Sequence, residues 1–290
     1  MYCYNLTGSP VCGPNVTDMS YTYWYCNKLT GNPMCGNNVT NMHATYRNCY
    51  NLTGNPVCEN NVTNMYSTYQ DCYNLTGNPA CGNNVIDMCS AYQNCYNLTG
   101  SPVCGSNVIN MQMTYSHCYN LTGNPVCSDN VNSMYATYYH CYNITGNPVC
   151  GNNVTYMFQT YENCQNLTGN PVCGPKVTVM SYTYYNCSNL TGSPVCGNNV
   201  TSMYFTYYNC RNLNECTVNW YAPNITGVQN CFKGKNNSRI YNIHVPANST
   251  TFNTMIINNY YSLVGNNITW TNNGICWYNT AYNIYIYPDL

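Results

Sequence analysis

Apolar and polar positions follow two different rhythms along the chain, and both rhythms return every 23 residues. The first rhythm is a spacing of three and four residues, as at Met65, Thr68, Tyr69, Cys72 and Leu75. This spacing predicts a short helical segment with one apolar face, and Thr63 stands where a side chain would cap it.

The second pattern is a short stretch without helical spacing, residues 52–58 of the same unit. Gly54 and Pro56 interrupt this stretch, which is too short for a helix and suits a turn followed by an extended stretch around Val57. Each unit is therefore predicted to hold one short strand and one helical turn.

Two cysteine columns show that the period is fixed. The first runs without a gap through Cys3, Cys26, Cys49, Cys72, Cys95, Cys118, Cys141, Cys164, Cys187 and Cys210. The second runs through Cys12, Cys35, Cys58, Cys81, Cys104, Cys127, Cys150, Cys173 and Cys196. Neither half of a unit can bury its apolar side alone, so about nine units are expected to stack into a solenoid.

Stacking predicts internal ladders of equivalent side chains. In one unit the expected core positions are Cys49, Leu52, Cys58, Val62, Met65 and Tyr69. With parallel strands about 4.8 Å apart, the stack would form a rod or arc of roughly 45 Å.

The repeat resembles the BspA-like leucine-rich repeats of bacterial surface antigens, over residues 1–213. The matching elements are Leu52-Thr53-Gly54, Val62-Thr63-Asn64-Met65 and Thr68-Tyr69, where that family has Leu-Thr-Ser, Val-Thr-x-Ile and Ala-Phe. The resemblance implies an α/β repeat solenoid, a right-handed coil of short parallel strands and helical turns. It also implies a role among adhesion proteins of bacteria and their phages.

The chain departs from that family pattern in two ways. Asn55-Pro56-Val57-Cys58 replaces the family's Ile-x-Ile-Pro, and tyrosine replaces phenylalanine in the half that contains Tyr69. The strand register is open by one residue, since a slip of one turns every side chain over. Cys58 is favoured as the inward residue, with Pro56 tolerated because the strand is short.

The periodicity ends after Cys210, which divides the chain into a solenoid, 1–213, and a C-terminal module, 214–290. An irregular connector is expected at 211–238 and strands at 240–246, 268–271 and 283–287, with a turn at 272–274. Ser249 is placed to cap a helix at 252–257. The module is predicted to be a β-rich cap that shields the last coil or docks to a partner.

Charge is scarce, since only 5% of the residues are Asp, Glu, Lys or Arg and the net charge is -1. A nucleic-acid partner is therefore not expected. No apolar run approaches the roughly 18–20 residues that span a bilayer, and the N-terminus does not resemble a secretory signal. The chain starts inside a repeat, so we expect either a longer parent chain or another subunit over the first coil.

No constellation for catalysis, cofactor or metal binding is evident. The eight carboxylates stand at non-equivalent positions and suit solubilising surface charges. The cysteine columns suit free buried thiols rather than disulfides or zinc ligands, with Cys216 and Cys231 the exception to test. His117 and His140 occupy equivalent positions and should stack on the outer surface.

Two rows of surface positions are candidates for binding. The uniform row barely varies between units and suits a repeating ligand such as a glycan chain; it contains Thr53, Asn55, Val57, Thr76, Asn78, Thr99 and Ser101. The variable row differs from unit to unit, as Tyr66, Ser67, Gln70 and Asp71 differ from Gln112, Met113, Ser116 and His117. Such variation is either surface drift or a specific contact face.

Three functions follow as hypotheses. The first is a non-enzymatic adhesion protein on a phage particle or bacterial surface that recognises host-cell glycan or protein. The second is a structural fibre segment that self-associates end to end through its first coil. The third, an enzyme carried on the C-terminal module, has no motif in its favour.

Overall fold

The computed structural model describes residues 4–192, 194–213, 217–220, 227, 231, 241–246, 277–279 and 284–289. Successive 23-residue units stack as parallel coils of a solenoid. Equivalent residues bridge from one coil to the next in an unbroken series, which begins at Asp18 and Asn41 and ends at Ser202 and Gly227. The predicted repeat solenoid is confirmed.

The predicted helical segment is wrong for every described unit. No helix occurs in the described ranges, and none there could cross a bilayer. Residues 64–72 and their equivalents, here called the turn segment, form consecutive tight turns. Ser67 and Asp71 have positive φ angles of 52° and 64°, and each equivalent position repeats this conformation. A left-handed residue at every fourth position cannot continue an α-helix.

Backbone hydrogen bonds explain why the apolar residues of the turn segment have the spacing of a helix. Thr68, Gln70 and Cys72 donate N–H three residues back within their own unit. The alternating residues Met65, Ser67, Tyr69 and Asp71 instead donate N–H to carbonyl oxygens of the next coil. The three-residue closures give helix-like spacing, whereas the alternating bonds join coil to coil.

The expected cap is displaced by one residue. The Thr63 hydroxyl donates to the Thr40 carbonyl oxygen of the preceding coil at 3.1 Å. The Asn64 side-chain oxygen accepts the Tyr66 N–H at 2.9 Å. Position 64, not position 63, therefore opens the turn segment, in the manner of an Asx turn.

Five strands are described, and all belong to one sheet. They are β1 (Val195–Cys196), β2 (Thr217–Trp220), β3 (Tyr241–Pro246), β4 (Trp277–Asn279) and β5 (Ile284–Asp289). The sheet order is β1-β2-β3-β5-β4, with parallel pairing except between β4 and β5. The extended stretch predicted around Val57 forms a regular strand only in the last of the described units, as β1.

The sheet tests the predictions for the C-terminal segment. The strands predicted at 240–246 and 283–287 are confirmed as β3 and β5. The irregular connector is wrong at β2, which pairs with β1 and extends the stack of coils past Cys210. The predicted helix at 252–257, strand at 268–271 and turn at 272–274 lie outside the described residues. The division at 213 stays a prediction.

The core consists of ladders that run the length of the repeats. Cys49, Leu52, Val62, Met65 and Tyr69 are fully buried. Their equivalents in most other described units are also buried. The buried tyrosine rings stack nearly parallel, with centroids 5.3–5.6 Å apart from Tyr23 through Tyr207.

Buried cysteine and threonine columns supply hydrogen-bond donors to the core. The Cys72 thiol donates to the Tyr46 carbonyl oxygen at 3.0 Å, and the Thr68 hydroxyl donates to the Met42 carbonyl oxygen at 2.9 Å. Each of these carbonyls also accepts an N–H from its own unit. The two columns therefore recur because they bond one coil to the next in a dry interior.

The buried tyrosine hydroxyl fixes the register of residues 55–58. Tyr69 Oη donates to the Val57 carbonyl oxygen at 2.7 Å and accepts the Val57 N–H at 3.1 Å. Pro56 is buried, and Cys58 packs against the core, where burial raises the pKa of its thiol to about 12. The two departures from the family pattern are therefore linked. The tyrosine hydroxyl forms the hydrogen bonds that the Val57 backbone would otherwise form with a neighbouring strand.

Candidate binding cleft

The uniform row is exposed along one face of the solenoid. Thr53, Asn55, Thr76, Asn78, Thr99 and Ser101 are exposed, and Val57 is half-buried. Each Asn55-type side chain lies against the glycine of the next coil, so a Cβ on Gly77 would overlap Asn55 Oδ1. Gly77 also has a φ of 82°, which favours glycine. Coil-to-coil packing is therefore sufficient to explain why this row is uniform.

The position that opens the turn segment, occupied by Asn64 in one unit, changes its character toward the end of the repeats. Six earlier units open the turn segment with a polar oxygen that accepts the N–H two residues later, at Asp18, Asn41, Asn64, Asp87, Asn110 and Ser133. The next two units have Tyr156 and Val179 at this position. Their side chains have no oxygen in reach of that N–H, so the chain gives up its own turn-opening bond here.

A cavity of about 440 Å³ opens at the place where the pattern changes. Three coils line this binding cleft with Tyr156, Phe158, Val179, Ser181, Tyr182, Ser202, Tyr204 and Phe205. Two of the four phenylalanines in the chain are among them. No side chain in this lining carries a formal charge.

The aromatic rings of the cleft form two inclined walls. Tyr156 and Phe158 lie within 20° of parallel, with centroids 6.2 Å apart. Tyr182 and Phe205 lie within 13°, with centroids 5.0 Å apart. Phe158 and Tyr182 meet at 58°, so the two pairs enclose a wedge that is open to solvent at Tyr156 and Tyr204.

The cleft also contains a pair of hydroxyl groups. Ser181 Oγ and Ser202 Oγ are 2.7 Å apart, and Ser181 is buried. One hydroxyl donates to the other, so the pair retains one O–H and several lone pairs for a ligand. The cleft thus combines apolar faces with a polar point.

Two wall residues adopt a backbone conformation that bulky side chains rarely take. Tyr182 and Phe205 have φ angles of 59° and 54°, at a position where the other described units have Tyr21, Ala44, Ser67, Ser90, Met113, Ala136 and Gln159. Left-handed conformations are uncommon for large side chains, and such strain is concentrated at functional sites. The aromatic choice at these positions is therefore not explained by the backbone.

A row of side chains next to the cleft contains a buried carboxyl group. Tyr182 contacts Tyr185, and Tyr185 stacks on Tyr208 at 4.8 Å. One coil earlier in this row stands Glu162, which is buried and has no hydrogen-bond partner at Oε2. Burial raises the pKa of Glu162. The expectation that the carboxylates are surface charges is wrong for this residue.

His117 and His140 stack as predicted, with ring centroids 5.1 Å apart. Burial lowers the pKa of both imidazoles, which keeps them neutral near pH 7. Nδ1 of His140 lies 2.6 Å from Tyr142 Oη. No group of three or more His, Cys, Asp or Glu side chains within the described ranges is arranged to hold a metal ion.

The prediction of free thiols is confirmed for the twenty cysteines that the structure describes. Burial raises the pKa of the Cys72, Cys95 and Cys118 thiols well above the usual value. Cys231 is free and buried, and Cys216 lies outside the described residues. These three thiols are therefore poor nucleophiles and serve packing.

The cleft residues were visible in the sequence only as exceptions to the repeat. Tyr156 and Val179 break the polar turn-opening column, and Phe158 and Phe205 are rare residues in a tyrosine-rich chain. The sequence did not show that these residues lie close together in space.

Fold and cleft together define a tyrosine- and asparagine-laddered repeat solenoid with an uncharged aromatic cleft. The family model described as "Mycoplasma protein of unknown function, DUF285" matches residues 106–243 and 152–270, and the chain belongs to this family. The matched residues include every residue of the cleft lining. No curated protein and no solved structure shows a significant match.

Proposed function

We propose that the chain is a non-enzymatic binding protein, displayed on a bacterial surface or phage particle, that recognises host-cell glycan or protein through the binding cleft. The observation that carries this proposal is the convergence of exceptional residues from three coils on one cavity. Residues that break a repeat together, at one place in space, are better explained by a ligand than by surface drift.

Energetics support this interpretation. An intramolecular hydrogen bond contributes about 0.5–1.5 kcal/mol. The units with Tyr156 and Val179 forgo one such bond each, and the units with Val179 and Ser202 place the rings of Tyr182 and Phe205 on left-handed backbone. Residues that depart from local structural preferences at a cost in stability are typical of functional sites.

The chemistry of the lining supports binding rather than catalysis. It offers phenyl rings, phenols and two aliphatic hydroxyls, with no carboxylate, imidazole or thiol to move a proton or attack a bond. Aromatic side chains with polar tips are typical of recognition surfaces. The resemblance to BspA-like leucine-rich-repeat proteins supports surface display and a right-handed coil, which belong to the same proposal.

The experiment compares binding of the labelled full chain to panels of fixed mammalian and bacterial cells. The double variant Tyr156→Asn with Phe158→Gln takes residues that the repeat itself uses at Asn110 and Gln112, so the fold has a precedent for both. We expect at least a tenfold loss of affinity, because two wall rings are removed. A tenfold loss corresponds to about 1.4 kcal/mol.

Tyr66→Gln is the matched control, since Tyr66 is an exposed tyrosine at the same repeat position as Phe158 in a distant coil. It should bind as the unaltered chain does. Equal binding by the double variant and the unaltered chain would contradict the proposal.

A structural fibre is the second candidate. One observation favours it: neighbouring coils join through the same backbone bonds and ring stacks along the whole repeat region. An open coil edge would therefore fit a second copy. Light scattering and negative-stain microscopy over a range of concentrations separate the candidates, because filaments favour the fibre and a monodisperse species excludes it.

A further inference from the structure

We infer that the cleft binds a neutral saccharide, with the C–H face of a sugar ring on Phe158 and Tyr182 and the ring hydroxyls at Ser181 and Ser202. This inference rests on the proposed function and names the chemical class of its ligand.

The size and shape of the cleft suit one or two sugar rings. Its volume of about 440 Å³ lies within the roughly 300–1,000 Å³ usual for small-molecule sites. The Tyr156–Phe158 and Tyr182–Phe205 pairs present ring faces on two sides of a wedge. A pyranose chair presents a face of C–H groups that can lie on either pair.

The lack of charged side chains in the lining favours a neutral ligand. None of the eight lining side chains is ionic, so a sialate, sulfate or phosphate group would lose hydration without meeting a cation. Aromatic faces are also electron-rich, which repels anions and attracts polarised C–H groups. A neutral pyranose offers such C–H groups on the face that lies on the ring.

The serine pair selects a saccharide over an apolar protein side chain. Ser181 is 3% exposed, and its hydroxyl is joined to Ser202 at 2.7 Å. A hydrocarbon side chain in the wedge would bury this pair and leave the remaining O–H and lone pairs without partners. Sugar hydroxyls supply both donors and acceptors at that point.

The test uses the full chain on an array of neutral, sialylated and sulfated glycans, followed by calorimetry with the strongest neutral binder. We expect binding to neutral glycans. Ser181→Ala with Ser202→Ala should weaken it at least tenfold, and Phe158→Gln should do the same, whereas Tyr66→Gln should not change it. Circular dichroism checks that each variant keeps the fold. Binding only to charged glycans, or no effect of the serine variant, would overturn the inference.

Treatment of the cells distinguishes failure of this inference from failure of the proposed function. Periodate oxidation of the cell surface should abolish binding if the ligand is a saccharide. If binding survives periodate, is lost after protease and still depends on Phe158, the ligand is a protein and only the inference fails. If binding does not depend on the cleft residues at all, both fail.

Discussion

At the residue scale, Glu162 shows how a single exchange within the repeat can create an energetic cost. In two other units Gln70 and Gln93 hold this position, and Gln70 Nε2 donates to Gln93 Oε1 at 3.1 Å. Glu162 is 9% exposed, and its Oε2 has no partner among the described residues. A carboxylate in this place loses hydration, and the hydrogen bond that its Oε1 accepts from Asn163 Nδ2 at 3.4 Å compensates only in part.

The pH dependence of stability follows from the raised pKa of Glu162. The folded chain holds this proton to higher pH than the unfolded chain, in which glutamate ionises near 4.3. The folded state therefore binds more protons in the window above that value, and the free energy of unfolding falls as pH rises through it. Glu162→Gln should remove this loss and stabilise the chain at pH 7.5 by about 1–3 kcal/mol.

Urea unfolding at pH 7.5 and pH 4 measures the effect. The gain from Glu162→Gln should shrink at pH 4, where the unfolded carboxyl is largely protonated as well. Glu59→Gln, which makes the same chemical change outside this aromatic row, serves as the control. Identical pH profiles for the two variants would show that burial of Glu162 has no energetic consequence.

At the scale of the element, each unit holds its two halves together through a tyrosine. Tyr115 Oη donates to the Val103 carbonyl oxygen at 2.7 Å and accepts the Val103 N–H at 3.0 Å. The turn segment and the preceding extended stretch are joined by these bonds, because the stretch does not form a regular strand in the inner units. The hydroxyl is a structural part of the repeat.

Tyr115→Phe should therefore destabilise the chain by about 2 kcal/mol, since two hydrogen bonds are lost and a partly buried backbone pair is left unsatisfied. Ring stacking at 5.5 and 5.6 Å would be retained. Chemical denaturation measures the change. Tyr119, whose ring stacks on Tyr96 and Tyr142 in a second column of tyrosines, supplies the control. We expect Tyr119→Phe to have little effect. Equal losses in the two variants would refute the role of the Tyr115 hydroxyl.

At the scale of the whole molecule, stability comes from contacts between neighbouring coils. The stack continues from the repeats into β2 and β3, so the C-terminal segment extends the same sheet. A structure of this kind tolerates the loss of a whole unit, because stability is approximately a sum over units and their interfaces.

Deletion of residues 72–94, one complete 23-residue unit, should preserve cooperative unfolding and cell binding. Asp71 would then be followed by Cys95, and each ladder would stay in register. Deletion of residues 72–83 should prevent folding, because it sets extended stretches against turn segments. Circular dichroism and thermal unfolding compare the two. A folded half-unit deletion, or an unfolded whole-unit deletion, would refute the register argument.

The sequence by itself determined the period, the stacking and the chemical character of the ladders. Repetition at a fixed spacing brings equivalent residues together, whatever the local backbone does, which is why the columns of Met65 and Tyr69 were predictable. The alternating stretches that became β3 and β5 were also predictable, because alternation of apolar and polar residues is a local signal.

Only the tertiary structure decided the backbone path, the burial of Glu162 and the existence of the cleft. A spacing of three and four residues is common to a helix and to successive three-residue turns. Hydrogen bonds between neighbouring coils decided between these two backbone paths, and they join residues 22 positions apart, such as Met65 and Asp87. The cleft depends on Phe158, Tyr182 and Phe205 meeting across three units. Contacts of that range are set by packing, which local sequence patterns do not record.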